Sequence, residues 1–217
     1  MPALRLGAVS YLNTKPLVYG LDPDTFEIRF DVPSKCAALL HEGAVDVGLI
    51  PAIEYLRDDY RIVPGVSIAS DGEVATVAIF TRKPMAEVTS IALDLSSKTS
   101  VALTRVLCAA HWGMAPAFPS AEPDLDAMLN RPDAALVIGD PAFDIDPASR
   151  GVQKIDLGAE WKAMTGLPFV YAMWVGRPGA ATPAQCRALQ DARANGQAHL
   201  ADIARDVSGG DPELERR

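Results

Sequence analysis

The chain has 217 residues, of which 49% are hydrophobic and 22% charged, and this near-average composition excludes a disordered, collagen-like or coiled-coil protein. Lys and Arg number 20 against 28 Asp and Glu, a net charge of −8, which argues against nucleic-acid binding. No apolar run approaches the roughly 20 residues of a membrane helix, so no membrane insertion is expected. The N-terminus lacks the features of a secretory signal, which predicts a cytoplasmic protein.

Short apolar runs alternate with helical patterns along most of the chain, which predicts an α/β fold. Most runs are continuous in Val, Ile, Leu and Ala, as in sheets that are covered on both faces. The predicted strands are residues 4–9, 27–32, 45–50, 62–69, 74–81, 90–95, 134–138, 152–155 and 169–175. Apolar residues recur at helical spacing within 36–43 and 103–110, which predicts amphipathic helices there.

Two helices are predicted near the C-terminus. Thr182, Pro183 and Gln185 have the spacing of a capping box with proline at the first helical position. Gly196, after Asn195, is expected to end this helix. A second amphipathic helix is predicted over residues 200–207.

The middle of the chain is predicted to form a separate lobe. Residues 74–80 lead out of the first β/α block and residues 169–174 return after the second, so two strands side by side would form the hinge of a clamshell. The predicted limits are 1–81 and 170–217 for lobe 1, 84–168 for lobe 2, and 74–84 and 167–177 for the hinge. The alternative is a single three-layer sandwich without a cleft.

A dense polar cluster follows the first predicted strand. Its members are Ser10, Tyr11, Asn13, Thr14 and Lys15. Helix capping would explain one of them, but not five polar residues within six positions. The loop after a strand in an open α/β sheet faces the ligand crevice, so the cluster predicts a binding site, with turn chemistry as the alternative.

A second cluster opens the helix of the middle block. It contains Ser97, Lys98, Thr99 and Ser100, and hydroxyls, a lysine and free N–H groups at a helix start can hold a carboxylate or phosphate. Ordinary capping is the alternative. The Gly-rich phosphate loop of nucleotide-binding proteins is absent from the sequence, which argues against nucleoside triphosphates.

Further candidates lie at the predicted cleft mouth and hinge. Asp140, which precedes a proline, is a turn residue, a ligand contact or a general base. Ser70, Phe169 and Tyr171 line the cleft or belong to the turn and core around it. The histidines are isolated, so no metal site is predicted, and no dinucleotide-binding glycine motif is present.

Several motifs together resemble the menaquinone-biosynthesis family MqnA. They occur in the family's order at residues 10–17, 43–51, 69–72, 96–100, 138–140 and 161–169. The resemblance covers residues 4 to about 176 and implies a two-lobed, periplasmic-binding-protein-like fold of type II with a two-strand hinge. Members usually continue for some tens of helical residues beyond the position where this chain stops.

The resemblance also implies an activity. Members are chorismate dehydratases of the futalosine route, which convert the dicarboxylate chorismate to 3-[(1-carboxyvinyl)oxy]benzoate without a cofactor. Asn13 is then expected to hold the leaving hydroxyl or to orient the ring. The base is either Asp140 or the substrate's own carboxylate, and we favour the second because no other titratable group is visible to tune Asp140.

Binding is expected to depend on local donors. Repulsion between the acidic protein and a dianion is screened beyond about 8 Å at physiological salt, so Lys15 or Lys98 and several hydroxyls would share the carboxylates. Two other functions remain open: a non-catalytic solute-binding protein of the same fold, and the sister enzyme of the pathway that acts on a later intermediate. The run from Ser10 to Pro16 favours the dehydratase, and the oligomeric state is not predicted.

Overall fold

The computed structural model describes residues 2–209 and 211; residues 1, 210 and 212–217 of predicted lobe 1 lie outside them. All nine predicted strands are confirmed within a few residues of their expected ends. One short strand, Ser120–Ala121, was not predicted. The strands are β1 (Leu4–Val9), β2 (Phe26–Asp31), β3 (Val47–Pro51), β4 (Arg61–Ser70), β5 (Val77–Thr81), β6 (Ile91–Asp94), β7 (Ser120–Ala121), β8 (Ala134–Ile138), β9 (Gln153–Asp156) and β10 (Phe169–Gly176).

Helices and tight turns connect these strands. The helices are α1 (Pro33–His41), α2 (Lys98–Val106), α3 (Leu125–Met128), α4 (Asp140–Asp144), α5 (Pro147–Arg150), α6 (Leu157–Thr165), α7 (Pro183–Ala198) and α8 (Leu200–Ser208). A π turn over Leu107–His111 continues α2, and 3₁₀ turns cover Leu12–Val18, Ala52–Arg57 and Met85–Glu87. Across residues 2–209 and 211, no helix is long and apolar enough to cross a bilayer.

The described strands form two mixed sheets with the same plan. Their orders are β2-β1-β3-β10-β4 and β7-β6-β8-β5-β9. Three strands run parallel at one side of each sheet, and the fourth in order, β10 or β5, runs antiparallel to both of its neighbours. Each antiparallel strand is the first one that the chain forms after it crosses from the other sheet.

Each sheet has a hydrophobic core on both faces. In the first sheet, Trp174 and Leu189 of α7 pack on one face, and Leu40 of α1 packs on the other. In the second, Leu107 belongs to one core cluster and Phe80 to another. Continuous apolar strands are therefore explained by burial on both faces, and two separate sheets with their own cores make two lobes.

The two crossings between the sheets are residues 71–76 and 157–168. They lie beside the predicted hinge strands, and the prediction that those strands pair with each other is wrong. β5 pairs with β8 and β9, whereas β10 pairs with β3 and β4. Both edges of each strand are thus occupied within its own sheet. The predicted numerical limits of the lobes stay a prediction.

One carboxylate joins the two crossings. Asp156 accepts hydrogen bonds from the backbone N–H groups of Val74 and Ala75, at 3.1 and 2.7 Å, and from those of Gly158 and Ala159, at 2.9 and 3.0 Å. Ala75 has a φ of 62°, a conformation that costs a residue with a side chain about 1 kcal/mol or more. Asp156 therefore holds the first crossing and caps the helix that forms the second.

The C-terminal helices are confirmed, with one correction. The capping box of Thr182 and Gln185 opens α7 as predicted, but the helix continues through Gly196 to Ala198. Gly196 lies inside the helix, where it allows the helix backbone to approach the backbone of Pro16. A Cβ at this position would lie 2.1 Å from the carbonyl oxygen of Pro16. This glycine lets α7 pack directly on the Leu12–Val18 turn.

Replacing Gly196 by alanine should therefore lower the stability of the protein, the opposite of what this substitution usually does inside a helix. Gly to Ala inside an open helix stabilises by about 0.5–1 kcal/mol, whereas Gly196→Ala should destabilise the protein because the new methyl meets Pro16 backbone. Denaturant unfolding measures the difference, with Asn195→Ala, an exposed neighbour in the same helix, as the control. A Gly196→Ala protein as stable as the control would contradict this packing.

Candidate active site

The loop after β1 faces the second lobe. The ring of Tyr11 lies against Gly139, where a Cβ would be 2.6 Å from the ring. Gly139 has φ 70° and ψ −157°, a backbone region that is essentially restricted to glycine. Asn13 is exposed, and the part of the chain that the structure describes gives its side chain no hydrogen-bond partner. Its amide is therefore free to bind a ligand.

The start of α2 forms the opposite wall. Ser97 caps the helix, its Oγ accepting from the N–H of Ser100 at 3.4 Å. The Ser100 hydroxyl lies 3.1 Å from the same oxygen. Both serines are buried. The first turn thus presents hydroxyls beside helix N–H groups that have no partner within the helix.

A cavity lies between these two walls. Its lining contains Tyr11, Asn13, Ser97, Ser100 and Tyr171 of the predicted set, together with Val9, Pro33, Ile68, Val74, Thr76, Val77, Ile138, Gly139 and Ala172. None of these lining residues carries a charge at neutral pH. The cavity volume is about 40 Å³, room for about three water molecules. A ring-sized ligand therefore enters only if the lobes separate.

Two tyrosines border the cavity as neutral donors. Burial raises the pKa of Tyr171 to about 12, and burial also raises the pKa of Tyr11 above its ordinary value. Both phenols therefore keep their protons at neutral pH. Tyr171 Oη lies 3.3 Å from Ser70 Oγ, and Tyr11 donates to Ser96 Oγ over 3.4 Å. Ser70 supports the cavity wall without lining it.

Asp140 lies beside the cavity rather than in its wall. Its carboxylate accepts the backbone N–H of Leu12 at 3.2 Å, a hydrogen bond from one lobe to the other. Burial raises the pKa of Asp140, although the Leu12 hydrogen bond acts in the opposite direction. The carboxylate thus holds the loop that carries Asn13.

The structure brings neither predicted lysine to the cavity wall. Lys15 Nζ lies 5.5 Å from the centre of the Phe30 ring, and the residue borders a different cavity beside α8. Lys98 Nζ lies 3.2 Å from a carboxylate oxygen of Glu54. Both cations therefore have other contacts in this closed arrangement.

The remaining predicted residues surround the cavity at a distance. Ser10 is exposed and Thr14 is fully buried, with no hydrogen-bond partner for its hydroxyl among the described residues. Thr99 accepts the N–H of Ile53 at 3.2 Å. Phe169 packs edge-on against Tyr171. Thr99 and Phe169 both border a separate apolar groove.

Sequence reasoning missed most of the apolar lining. Ile68, Val77 and Ala172 lie within predicted strands, where an apolar residue indicates only core. Gly139 follows the carboxyl end of β8, directly before the predicted Asp140. Thr76 lies inside the predicted strand 74–81, where nothing in the sequence marks it as a cavity residue.

Comparison with known proteins identifies the family of this chain. A sequence model of the family described as Menaquinone biosynthesis matches residues 4–216. This chain belongs to the menaquinone-biosynthesis family. A relative named chorismate dehydratase in Thermus thermophilus is 31% identical over 92% of this chain and 79% of its own. Another of that name in Campylobacter jejuni is 31% identical, over 75% and 58% respectively.

Solved structures agree with the two-lobed fold of this family member. A protein of Archaeoglobus fulgidus superposes with a TM-score of 0.73 at 18% identity, covering 100% of this chain and 86% of its own. The periplasmic aliphatic sulphonate binding protein of Escherichia coli gives 0.66 at 16%, covering 100% and 77%. The predicted periplasmic-binding-protein-like fold is confirmed.

The contact between Tyr11 and Gly139 makes a prediction about lobe closure. Gly139→Ala should push the lobes apart, because the methyl cannot occupy the space of the Tyr11 ring. Small-angle scattering should show a larger radius of gyration. In the double variant Tyr11→Ala, Gly139→Ala the clash is gone, so the lobes should close again. The backbone strain at position 139, about 1–3 kcal/mol, remains and should lower only the stability. An unchanged radius in Gly139→Ala would contradict this contact.

Proposed function

We propose that this family member is a chorismate dehydratase, which removes water from chorismate to give 3-[(1-carboxyvinyl)oxy]benzoate in the futalosine route. The observation that carries the proposal is an uncharged, largely apolar cavity between the two lobes, whose lining also includes Tyr11, Asn13, Ser97, Ser100 and Tyr171. The names of the two relatives support it. Chorismate contains a hydroxyl and two carboxylates, which hydroxyl and amide groups can bind, and a ring that can pack on the apolar part of the wall.

The reaction breaks two bonds on neighbouring ring carbons. A proton leaves the carbon that bears the enol ether, and its electron pair forms the last ring double bond as the neighbouring hydroxyl departs. Proton and hydroxide together make the water that is lost, so no electrons leave the substrate. Asn13 lies in the cavity wall with a free amide, and it donates to the departing oxygen as its charge develops.

The base is the side-chain carboxylate of the substrate. The phenols of Tyr11 and Tyr171 hold their protons because burial raises the pKa of each. Asp140 is engaged by Leu12 outside the lining. A carboxylate on the substrate already lies near the ring proton, so the cavity needs only to hold the reacting geometry.

The substrate carboxylates bind through several neutral donors. A helix start contributes about 0.3–2 kcal/mol per carboxylate, less than the several kcal/mol that burial of an ion costs. The first turn of α2 is therefore insufficient alone. The hydroxyls of Ser97, Ser100, Tyr11 and Tyr171 border the same cavity. They supply the remaining hydrogen bonds when the ligand replaces the present acceptors of Tyr11, Tyr171 and Ser100, which are Ser96, Ser70 and Ser97.

The proposal is tested with chorismate itself. The protein should convert it to a product that is lighter by one water, as seen by mass analysis and ultraviolet spectra. Asn13→Ala should lower kcat by about 10²–10³, the usual loss for one aligned donor, while product affinity falls far less. Asn130→Ala, an exposed asparagine of the second sheet's lobe, should behave as the wild type. Bound but unchanged chorismate would indicate a solute-binding protein instead.

Asp140→Asn distinguishes the two candidate bases. The amide keeps an oxygen that can accept the Leu12 N–H, but it cannot take a proton at neutral pH. If the substrate carboxylate is the base, kcat should stay within about tenfold of the wild type. Steady-state kinetics with chorismate measure this. A loss of about 10³ with intact product affinity would assign the base to Asp140.

A further inference from the structure

A buried carboxylate of the first lobe reaches across the cleft. Glu54, in the 3₁₀ turn Ala52–Arg57, is 1% exposed. Its Oε2 lies 2.9 Å from His41 Nε2. Its Oε1 lies 3.2 Å from Arg57 Nε in the same turn and 3.2 Å from Lys98 Nζ in α2. Lys98 is thus the partner of Glu54 in the opposite lobe.

A second bond lies beside this ion pair. The N–H of Ile53 donates to Thr99 Oγ1 at 3.2 Å, so two consecutive residues of one lobe bind two consecutive residues of the other. Ser97 and Ser100, which line the cavity, flank Lys98 and Thr99 in the sequence. The contact therefore fixes the turn of α2 that forms the cavity wall.

The first lobe holds Glu54 in place independently of the second. His41 Nδ1 lies 2.6 Å from Tyr60 Oη, so the tautomer with a proton on Nε2 satisfies both ring nitrogens. Burial alone would raise the pKa of Glu54, but hydrogen bonds from His41 and Lys98 outweigh it and lower the pKa. His41 and Arg57 therefore orient the carboxylate from within the first lobe, and Lys98 adds to the lowering of its pKa from the second.

We propose that Glu54 is a positioning residue that latches the lobes through Lys98 and controls access to the cavity. A cavity of about 40 Å³ admits no ring-sized ligand while the lobes are closed. The rate of ligand binding is then set by the open fraction, which the latch keeps small. Only the identity of the ligand rests on the proposed function.

Breaking the latch should accelerate binding. Glu54→Gln and Lys98→Gln each remove a hydrogen bond between charged groups, and the open fraction should rise about tenfold. Association of the product 3-[(1-carboxyvinyl)oxy]benzoate, followed by stopped-flow fluorescence, should rise by the same factor. Arg57→Gln is the matched control, because Arg57 binds the same carboxylate within one lobe. It should leave the association rate unchanged.

Hydrogen exchange tests the latch without any ligand. The N–H groups of Leu12 and Ser34 bond across the cleft to Asp140 and to the carbonyl of Ser96, so they exchange when the lobes open. Both should exchange about tenfold faster in Glu54→Gln and Lys98→Gln, with amides inside β1 unchanged. Lys98 is 43% exposed, so its variant remains informative if Glu54→Gln fails to fold.

The outcomes of these experiments test the latch and the proposed function independently. Unchanged exchange at Leu12 and Ser34 in Lys98→Gln would overturn the latch, and so would an equal increase in Arg57→Gln. Faster exchange in the latch variants alone supports it. If exchange rises but the wild type neither binds the product nor converts chorismate, the latch stands and the dehydratase proposal falls.

Discussion

The arrangement of the two lobes depends on the carboxylate of Asp156. Its hydrogen bonds to the N–H groups of Val74 and Ala75 hold the first crossing, and those to Gly158 and Ala159 start the helix of the second. A charged acceptor makes such bonds stronger than neutral ones, and this offsets the backbone strain at Ala75. With both crossings fixed to one side chain, we expect the lobes to move mainly about this point. The cavity lies beside it, since Val74 and Thr76 of the first crossing belong to the cavity lining.

Secondary structure was largely predictable because it depends on local pattern. The runs from Leu4 to Val9 and from Ala134 to Ile138 are apolar throughout, and burial on both faces requires that composition. β7 was missed because two residues carry no periodicity. Gly196 was misread as a helix end, since nothing in the sequence shows that Pro16 backbone passes beside it. The predicted pairing of the two hinge strands was wrong for the same reason, because strand pairing is a contact between segments that are distant in the sequence.

The two polar clusters of the candidate site were predictable from the sequence, but which of their side chains line the cavity was not. Loops at strand ends face the crevice, so the segments around Asn13 and Ser97 were found. Which side chain in each loop turns toward the cavity depends on the opposite lobe. Lys98 meets Glu54 and Asp140 meets Leu12, contacts that remove two charged groups from the expected ligand shell. The result is a cavity wall without a charged side chain, and this is why we propose that a group on the substrate takes the proton.

We propose that the reaction occurs in the cavity between Asn13 and the first turn of α2. A crystal structure of the protein with 3-[(1-carboxyvinyl)oxy]benzoate tests it most directly. We expect density for the ring beside Tyr11 and Tyr171, with one carboxylate at Ser97 and Ser100. Density only in the groove of Val106 and Phe169, or in the cavity beside α8, would show that the product binds elsewhere.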